Sequence, residues 1–128
     1  MELEGLDTPM TVRKTLCRIA EIPEGGAIER VGAVRDPASD ELFDESIVLT
    51  RRGAEVKAWL NVCPHAGRRL DWAPGQFLIE NGLMICAAHG AAFQLISGEC
   101  VDGPCRGASL VAVPLEVAGD EVGIASTA

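Results

Sequence analysis

Two short clusters, Cys63-Pro64-His65 and Cys86-Ala87-Ala88-His89, decide the reading of this chain, with residues 66–85 between them. The sequence holds two histidines, and each follows a cysteine at close range. Side chains paired in this way read as metal ligands: Cys63, His65, Cys86 and His89.

The donor set narrows the metal. Two thiolates and two imidazoles could bind one zinc, but a zinc finger usually draws its thiolates from one segment and its histidines from another. Here each segment supplies one of each. That suits a centre with two metal sites, where each loop sends its Cys to one iron and its His to the other, as in 2Fe-2S clusters of mixed ligation. Zinc, or core thiols with unrelated surface imidazoles, are the competing readings.

More of the chain then carries a family resemblance. Cys-x-His, Cys-x-x-His-Gly ending at Gly90, Ala91-Ala92-Phe93, Ser97-Gly98 and Asp102-Gly103-Pro104 together resemble the Rieske iron-sulfur domain, and more closely its ferredoxin branch, over residues 56–122. The resemblance implies one Rieske 2Fe-2S cluster, with Cys63 and Cys86 on the inner iron and His65 and His89 on the outer one. It implies that both ligand loops are β-hairpin tips. It also makes Gly103-Pro104 a third loop that covers the cluster and limits water access, a lever on potential. The spacing between the clusters is a few residues longer than in such ferredoxins, and the extra length is assigned to Trp72-Ala73-Pro74-Gly75.

Two departures bear on function. Rieske proteins of respiratory complexes join their ligand loops by a disulfide, at positions that here read Arg68 and Ala88. They also place Ser and Tyr hydroxyls near the sulfurs, where this chain has Ala91 and Phe93, and it contains no Tyr. Hydrogen bonds to sulfur help set Rieske potentials, which run from roughly −150 to +300 mV. The expected potential is near the bottom of that range. It suits a one-electron carrier between an NAD(P)H-dependent flavin reductase and a terminal oxygenase, expected to be an aromatic-ring hydroxylating one. The alternative is a small subunit fixed within a larger oxidoreductase such as a nitrite reductase. A terminal oxygenase would need a further iron held by two more His and a carboxylate, and no His is left. The chain thus reads as an electron-transfer component rather than a catalyst by itself.

Length and composition fit one domain over residues 1–128, with the cluster-binding part at about residues 60–105. A chain of 128 residues buries roughly two-thirds of its unfolded surface, enough for a core without disulfide staples. Short apolar runs separated by turn signals, with ligands at strand ends, predict an antiparallel all-β domain, a sandwich or partly open barrel. The resemblance specifies three antiparallel sheets with a small cluster-binding subdomain. Strands are expected at residues 15–20, 27–34, 46–50, 55–62, 76–79, 83–86, 92–95, 110–117 and 121–125, with residues 36–45 an acidic, solvated loop. Asn81-Gly82 is a tight-turn signal.

Nothing at the N-terminus resembles a secretory signal, and no apolar run is long enough for a membrane span. Five cysteines, two of them assigned to iron, fit a reducing compartment, so the cytoplasm is the expected location. Cys17 reads as a buried strand residue, Cys100 and Cys105 as thiols rather than a disulfide, and Trp59 and Trp72 as packing residues. Arg68-Arg69 could line the electron-exit face or be solvated near Asp71. The net charge of −8 argues against nucleic acid as a partner and steers the protein toward basic docking surfaces.

Overall fold

The computed structural model describes residues 15–36, 38–64, 67–86, 90–103 and 105–125. Short runs of Val, Ile and Leu between turns give ten strands in three antiparallel sheets among these residues. One sheet has the order β1 (Thr15–Arg18), β10 (Glu121–Ile124), β9 (Leu115–Ala118). A second has the order β2 (Ala27–Arg35), β3 (Leu42–Arg52), β4 (Glu55–Leu60). The third has the order β5 (Leu78–Glu80), β6 (Leu83–Ile85), β7 (Ala92–Gln94), β8 (Cys100–Asp102). Among the described residues no helix is long and apolar enough to cross a membrane.

Strand β3 explains how the sheets share a core. Its side chains alternate faces with a period of two, so Ile47 and Leu49 enter one buried cluster with Cys17, Ile22 and Val122, while Val48 enters another. That second cluster contains Cys63, Cys86, Phe93, Leu95, Cys100 and Cys105. Strand β4 divides in the same way, Ala58 toward the first core and Trp59 toward the second. The middle sheet is therefore a wall between a base and the layer that carries the candidate ligands.

Polar bonds fasten that wall. The Thr50 hydroxyl donates to the Leu95 carbonyl at 2.6 Å, and Trp59 Nε1 donates to Thr50 Oγ1 and the Leu95 carbonyl, each at 3.3 Å. All three groups are buried, so each bond satisfies a group that would be costly left alone.

The structure departs from the expected elements in physical ways. Residues 19–21 form a 3-10 turn instead of continuing β1. Strand β3 starts at Leu42, so only the first part of the acidic segment is a turn. Pairing with β2 out to Arg35↔Leu42 orders the rest, although Leu42 and Phe43 are exposed and show no amphipathic alternation. Residues 110–114 are not a named strand. They follow the edge of β4, with Leu60 N–H donating to the Val111 carbonyl and Val113 N–H to the Ala58 carbonyl, and Pro114 closes the run. Strand β8 was missed because three residues, Cys100–Asp102, are too few to show a period. The Asn81-Gly82 turn forms as expected, with φ of 53° and 76°.

Candidate metal centre

Cys86 leaves the end of β6, and the chain returns through Ala91 into β7. Because Ile85 pairs with Ala92, this ligand loop is a hairpin tip. Cys86 N–H donates to the Ala91 carbonyl at 2.7 Å, and Gly90 N–H donates to the Cys86 carbonyl at 2.9 Å. The loop at Cys63 closes identically: Cys63 N–H donates to the Arg68 carbonyl at 2.7 Å, and Gly67 N–H to the Cys63 carbonyl at 2.8 Å. In each, the glycine four residues after the cysteine has a left-handed φ, 69° at Gly67 and 72° at Gly90, a conformation a side chain disfavours. The repeated Cys-x-x-x-Gly spacing is the signal that would have revealed this match in the sequence.

The first loop corrects one expectation. It is not the tip of a hairpin between named strands, because β4 and β5 on either side belong to different sheets. The chain passes from the middle sheet to the third here, so this loop needs other supports. Asn61 supplies one: its Oδ1 accepts from Leu70 N–H at 2.8 Å, and its Nδ2 donates to Ser46 Oγ and Asp71 Oδ2. Arg69 supplies the other, a two-pronged pair with Asp71 at 2.9 and 2.8 Å and a bond to Glu29 Oε2 at 2.8 Å. Glu29 also accepts from the Ser46 hydroxyl.

These contacts tie the first loop to β2 and β3, and they settle Arg69 as a structural cation. Burial raises the Asp71 carboxyl, but Arg69, the Gly75 N–H and Asn61 together outweigh it and hold the group below the usual carboxylate range. The Ser46 hydroxyl and then Arg69 lower Glu29 as well. Arg68 is exposed, and its carbonyl closes the loop. Trp72 through Gln76 forms a separate small turn, with Trp72 N–H donating to the Gln76 carbonyl at 3.0 Å. Trp72 is 63% exposed and does not pack, contrary to expectation, whereas Trp59 is buried.

The third loop reaches both of the others. A Cβ on Gly103 would stand 2.7 Å from the Ala91 Cα, so the chain passes directly over the second loop. Cys105 neighbours Cys63 and stands 2.8 Å from the Cys100 sulfur. Burial first, then the neighbouring Cys100 and Cys63 thiols, push the Cys105 thiol up to about 12. Cys100 and Cys105 are separate thiols, and Cys17 is a buried strand residue, as the sequence suggested. His65, His89 and Pro104 lie outside the described residues.

Comparison with known proteins bears directly on these loops. The family model of the Rieske [2Fe-2S] domain matches residues 15–118, which include both ligand loops and the third. The chain belongs to the Rieske [2Fe-2S] domain family. Its cofactor is accordingly one Rieske-type 2Fe-2S cluster. No curated protein matches this Rieske chain in sequence.

Solved structures share the Rieske fold. The ferredoxin of carbazole 1,9a-dioxygenase from Nocardioides aromaticivorans IC177 aligns with a TM-score of 0.61 at 22% identity, over 89% of this chain and 97% of that one. A structure of the reduced oxygenase and oxidised ferredoxin complex of carbazole 1,9a-dioxygenase aligns with a TM-score of 0.61 at 20% identity, over 88% and 91%. A protein described as a nitrite reductase NADPH small subunit aligns with a TM-score of 0.52 at 19% identity, over 85% and 93%.

The donors present suit the cluster. Cys63 and Cys86 are buried at 0% and 1% exposure at the mouths of two loops of one geometry, and mixed His and Cys ligation uses two such thiolates on one iron. Ala91 and Phe93, both fully buried, have no side-chain donor to offer.

Proposed function

We propose that this protein is a one-electron carrier, a Rieske-type ferredoxin that takes electrons from an NAD(P)H-dependent flavin reductase and passes them to a terminal, aromatic-ring hydroxylating oxygenase. Cys63 and Cys86 hold the inner iron, and His65 and His89 hold the outer one. The observation that carries this reading is the shared closure of the loops at Cys63 and Cys86, which delivers two buried thiols from two chain segments in equivalent settings. When bound, the cluster supplies reversible one-electron storage. The chain's own part is to orient the ligands, exclude water from the thiolate side and set the potential.

Supporting the partner class are the alignments with a carbazole dioxygenase ferredoxin and with its complex with an oxygenase. The absence of hydroxyls at Ala91 and Phe93 supports a low potential, because fewer donors to sulfur stabilise the added electron less. The acidic surface, net −8, fits transient docking on basic partners, with association weakening as salt rises. The alignment with a nitrite reductase small subunit supports the second reading, a subunit held in a larger oxidoreductase.

The test is the EPR spectrum of the anaerobically reduced protein, with iron and sulfide assayed on the same sample. Two irons per chain and a rhombic signal with mean g below that of an all-Cys 2Fe-2S protein are expected. One zinc and no signal would overturn the reading. Purification from the source separates the two roles: a free ferredoxin elutes alone, whereas a fixed subunit elutes in a stable complex.

A further inference from the structure

Cys100 and Cys105 stand outside the four-ligand scheme, yet their sulfurs are in contact. Cys105 Sγ lies 2.8 Å from Cys100 Sγ, and Cys100 Sγ lies 3.2 Å from the Asp102 carbonyl oxygen. Both side chains are buried, Cys100 at 1% and Cys105 at 5% exposure, and the structure holds them in the dithiol form.

The fold keeps the two sulfurs together. Cys100 lies in β8, where it pairs with Phe93, and the chain then turns back on it. Gly107 N–H donates to the Cys100 carbonyl at 3.3 Å, and Cys100 N–H donates to the Ala108 carbonyl at 2.9 Å. Ala108 N–H donates in turn to the Cys105 carbonyl at 2.9 Å, so the residue bonded to Cys100 also braces Cys105. A covalent S–S bond is about 2.05 Å long, so closing the gap takes a movement of less than about 1 Å. Asp102, Gly103, Arg106, Gly107 and Ala108 around the pair are exposed, which leaves it a single layer below solvent.

We propose that Cys100 and Cys105 form a dithiol–disulfide site that takes oxidising equivalents from small disulfides and, once cross-linked, locks the third loop over the second ligand loop. A thiolate at one cysteine attacks the small disulfide, forms a mixed disulfide and expels one small thiol. The other cysteine attacks that mixed disulfide, closes the Cys100–Cys105 bond and expels a second small thiol. The protein gives up two electrons and two protons, and the small disulfide gains them. The ring so closed contains Gly103, which passes so near Ala91 that an added Cβ would meet the Ala91 Cα at 2.7 Å. A cross-link removes open conformations of such a segment. The locking role rests on the cluster reading; the cross-link itself does not.

The test incubates the cluster-loaded full chain anaerobically in glutathione buffers of graded disulfide content, then denatures it in acid with a thiol alkylating agent. Trypsin releases residues 70–106, a peptide that contains Cys86, Cys100 and Cys105. Mass spectra of oxidised samples should show Cys86 alkylated and Cys100 joined to Cys105, and dithiothreitol should restore alkylation of both. Alkylation of Cys100 and Cys105 at every buffer ratio, glutathione left on either one, or a bond that dithiothreitol does not reverse would overturn the proposal. Iron release to a chelator reads the locking role. It should be severalfold slower for oxidised than for reduced wild type, and the same treatment should not change it in Cys100→Ser or Cys105→Ser. Equal rates for the two wild-type forms would overturn that role. If neither variant loads, the wild-type comparison decides alone. A wild type without the mixed-ligand EPR signal would instead refute the carrier reading and leave the mass result standing.

Discussion

Gly103 lies against the backbone of Ala91, with room for a hydrogen but not for a methyl group. A Cβ at residue 103 would meet the Ala91 Cα at 2.7 Å, its Cβ at 3.3 Å and its nitrogen at 3.3 Å. Two of these atoms belong to the backbone of the second ligand loop, which cannot turn aside as a long side chain would. The φ of 98° at Gly103 adds a second obstacle, since side chains rarely adopt it. Gly103→Ala should therefore lift the third loop from the second. Strain of this kind costs on the order of 1–3 kcal/mol. Thermal melting of the variant should show a Tm lower by several degrees, and iron loss to a chelator should be faster than in wild type. An unchanged rate of iron loss would show that the third loop does not shield the cluster.

Trp59 and Trp72 should behave as opposites. Trp59 fills the second core, donates to Thr50 and Leu95, and presses on Gly98, where a Cβ would stand 2.6 Å from its ring. Truncating a buried Trp to Ala typically costs about 3–5 kcal/mol, so Trp59→Ala should shift the urea midpoint strongly. Trp72 is 63% exposed, and Trp72→Ala should stay within about 0.5 kcal/mol of wild type. Iodide should quench the fluorescence of Trp59→Phe, which retains Trp72, far more than that of Trp72→Phe.

Much of this was legible in the residues, and the omissions have physical causes. The Cys63 and Cys86 clusters announced a metal centre because ligand spacing is local and needs no tertiary context. The Asn81-Gly82 turn was equally local. Trp72 was misjudged because an aromatic side chain has the same letter whether it packs or faces water; only the small turn from Trp72 to Gln76 shows which. Strand β3 extends to Leu42 because β2 pairs with it, a long-range cause invisible in the exposed Leu42 and Phe43. The Arg69 to Glu29 bridge spans 40 residues of sequence, and no motif marks it. Cys105 beside Cys63 is likewise a product of the third loop folding back.

The low potential proposed for this chain should yield to added hydroxyls. Phe93 and Ala91 are fully buried next to the second ligand loop, at positions where the resemblance to high-potential Rieske proteins implies a Tyr and a Ser. Phe93→Tyr should raise the potential, and Ala91→Ser should add to it, moving the protein partway up the span of roughly 450 mV that Rieske centres cover. Voltammetry at fixed pH measures both. A potential unmoved by either hydroxyl would mean that solvent exposure or charge, rather than missing donors, sets its level.

Asp71 should link stability to pH through its support of the first ligand loop. Its side chain is 1% exposed and accepts from both prongs of Arg69, from Asn61 Nδ2 at 3.2 Å and from Gly75 N–H at 3.0 Å. Asp71→Asn keeps the shape but removes the charge that Arg69 faces, and a hydrogen bond to a charged group contributes about 1.5–3 kcal/mol. The variant should unfold at lower urea at neutral pH. Because its partners outweigh burial and depress the folded carboxyl, the folded protein holds that proton less tightly than the unfolded chain does. The stabilisation is then complete above the unfolded value, about 3.9 for Asp, and is lost as pH falls through the lower folded value. Urea titrations of wild type and Asp71→Asn should therefore differ most near neutrality and converge on acidification. A gap that persisted unchanged into strong acid would mean that the variant's deficit comes from packing rather than from the carboxylate's charge.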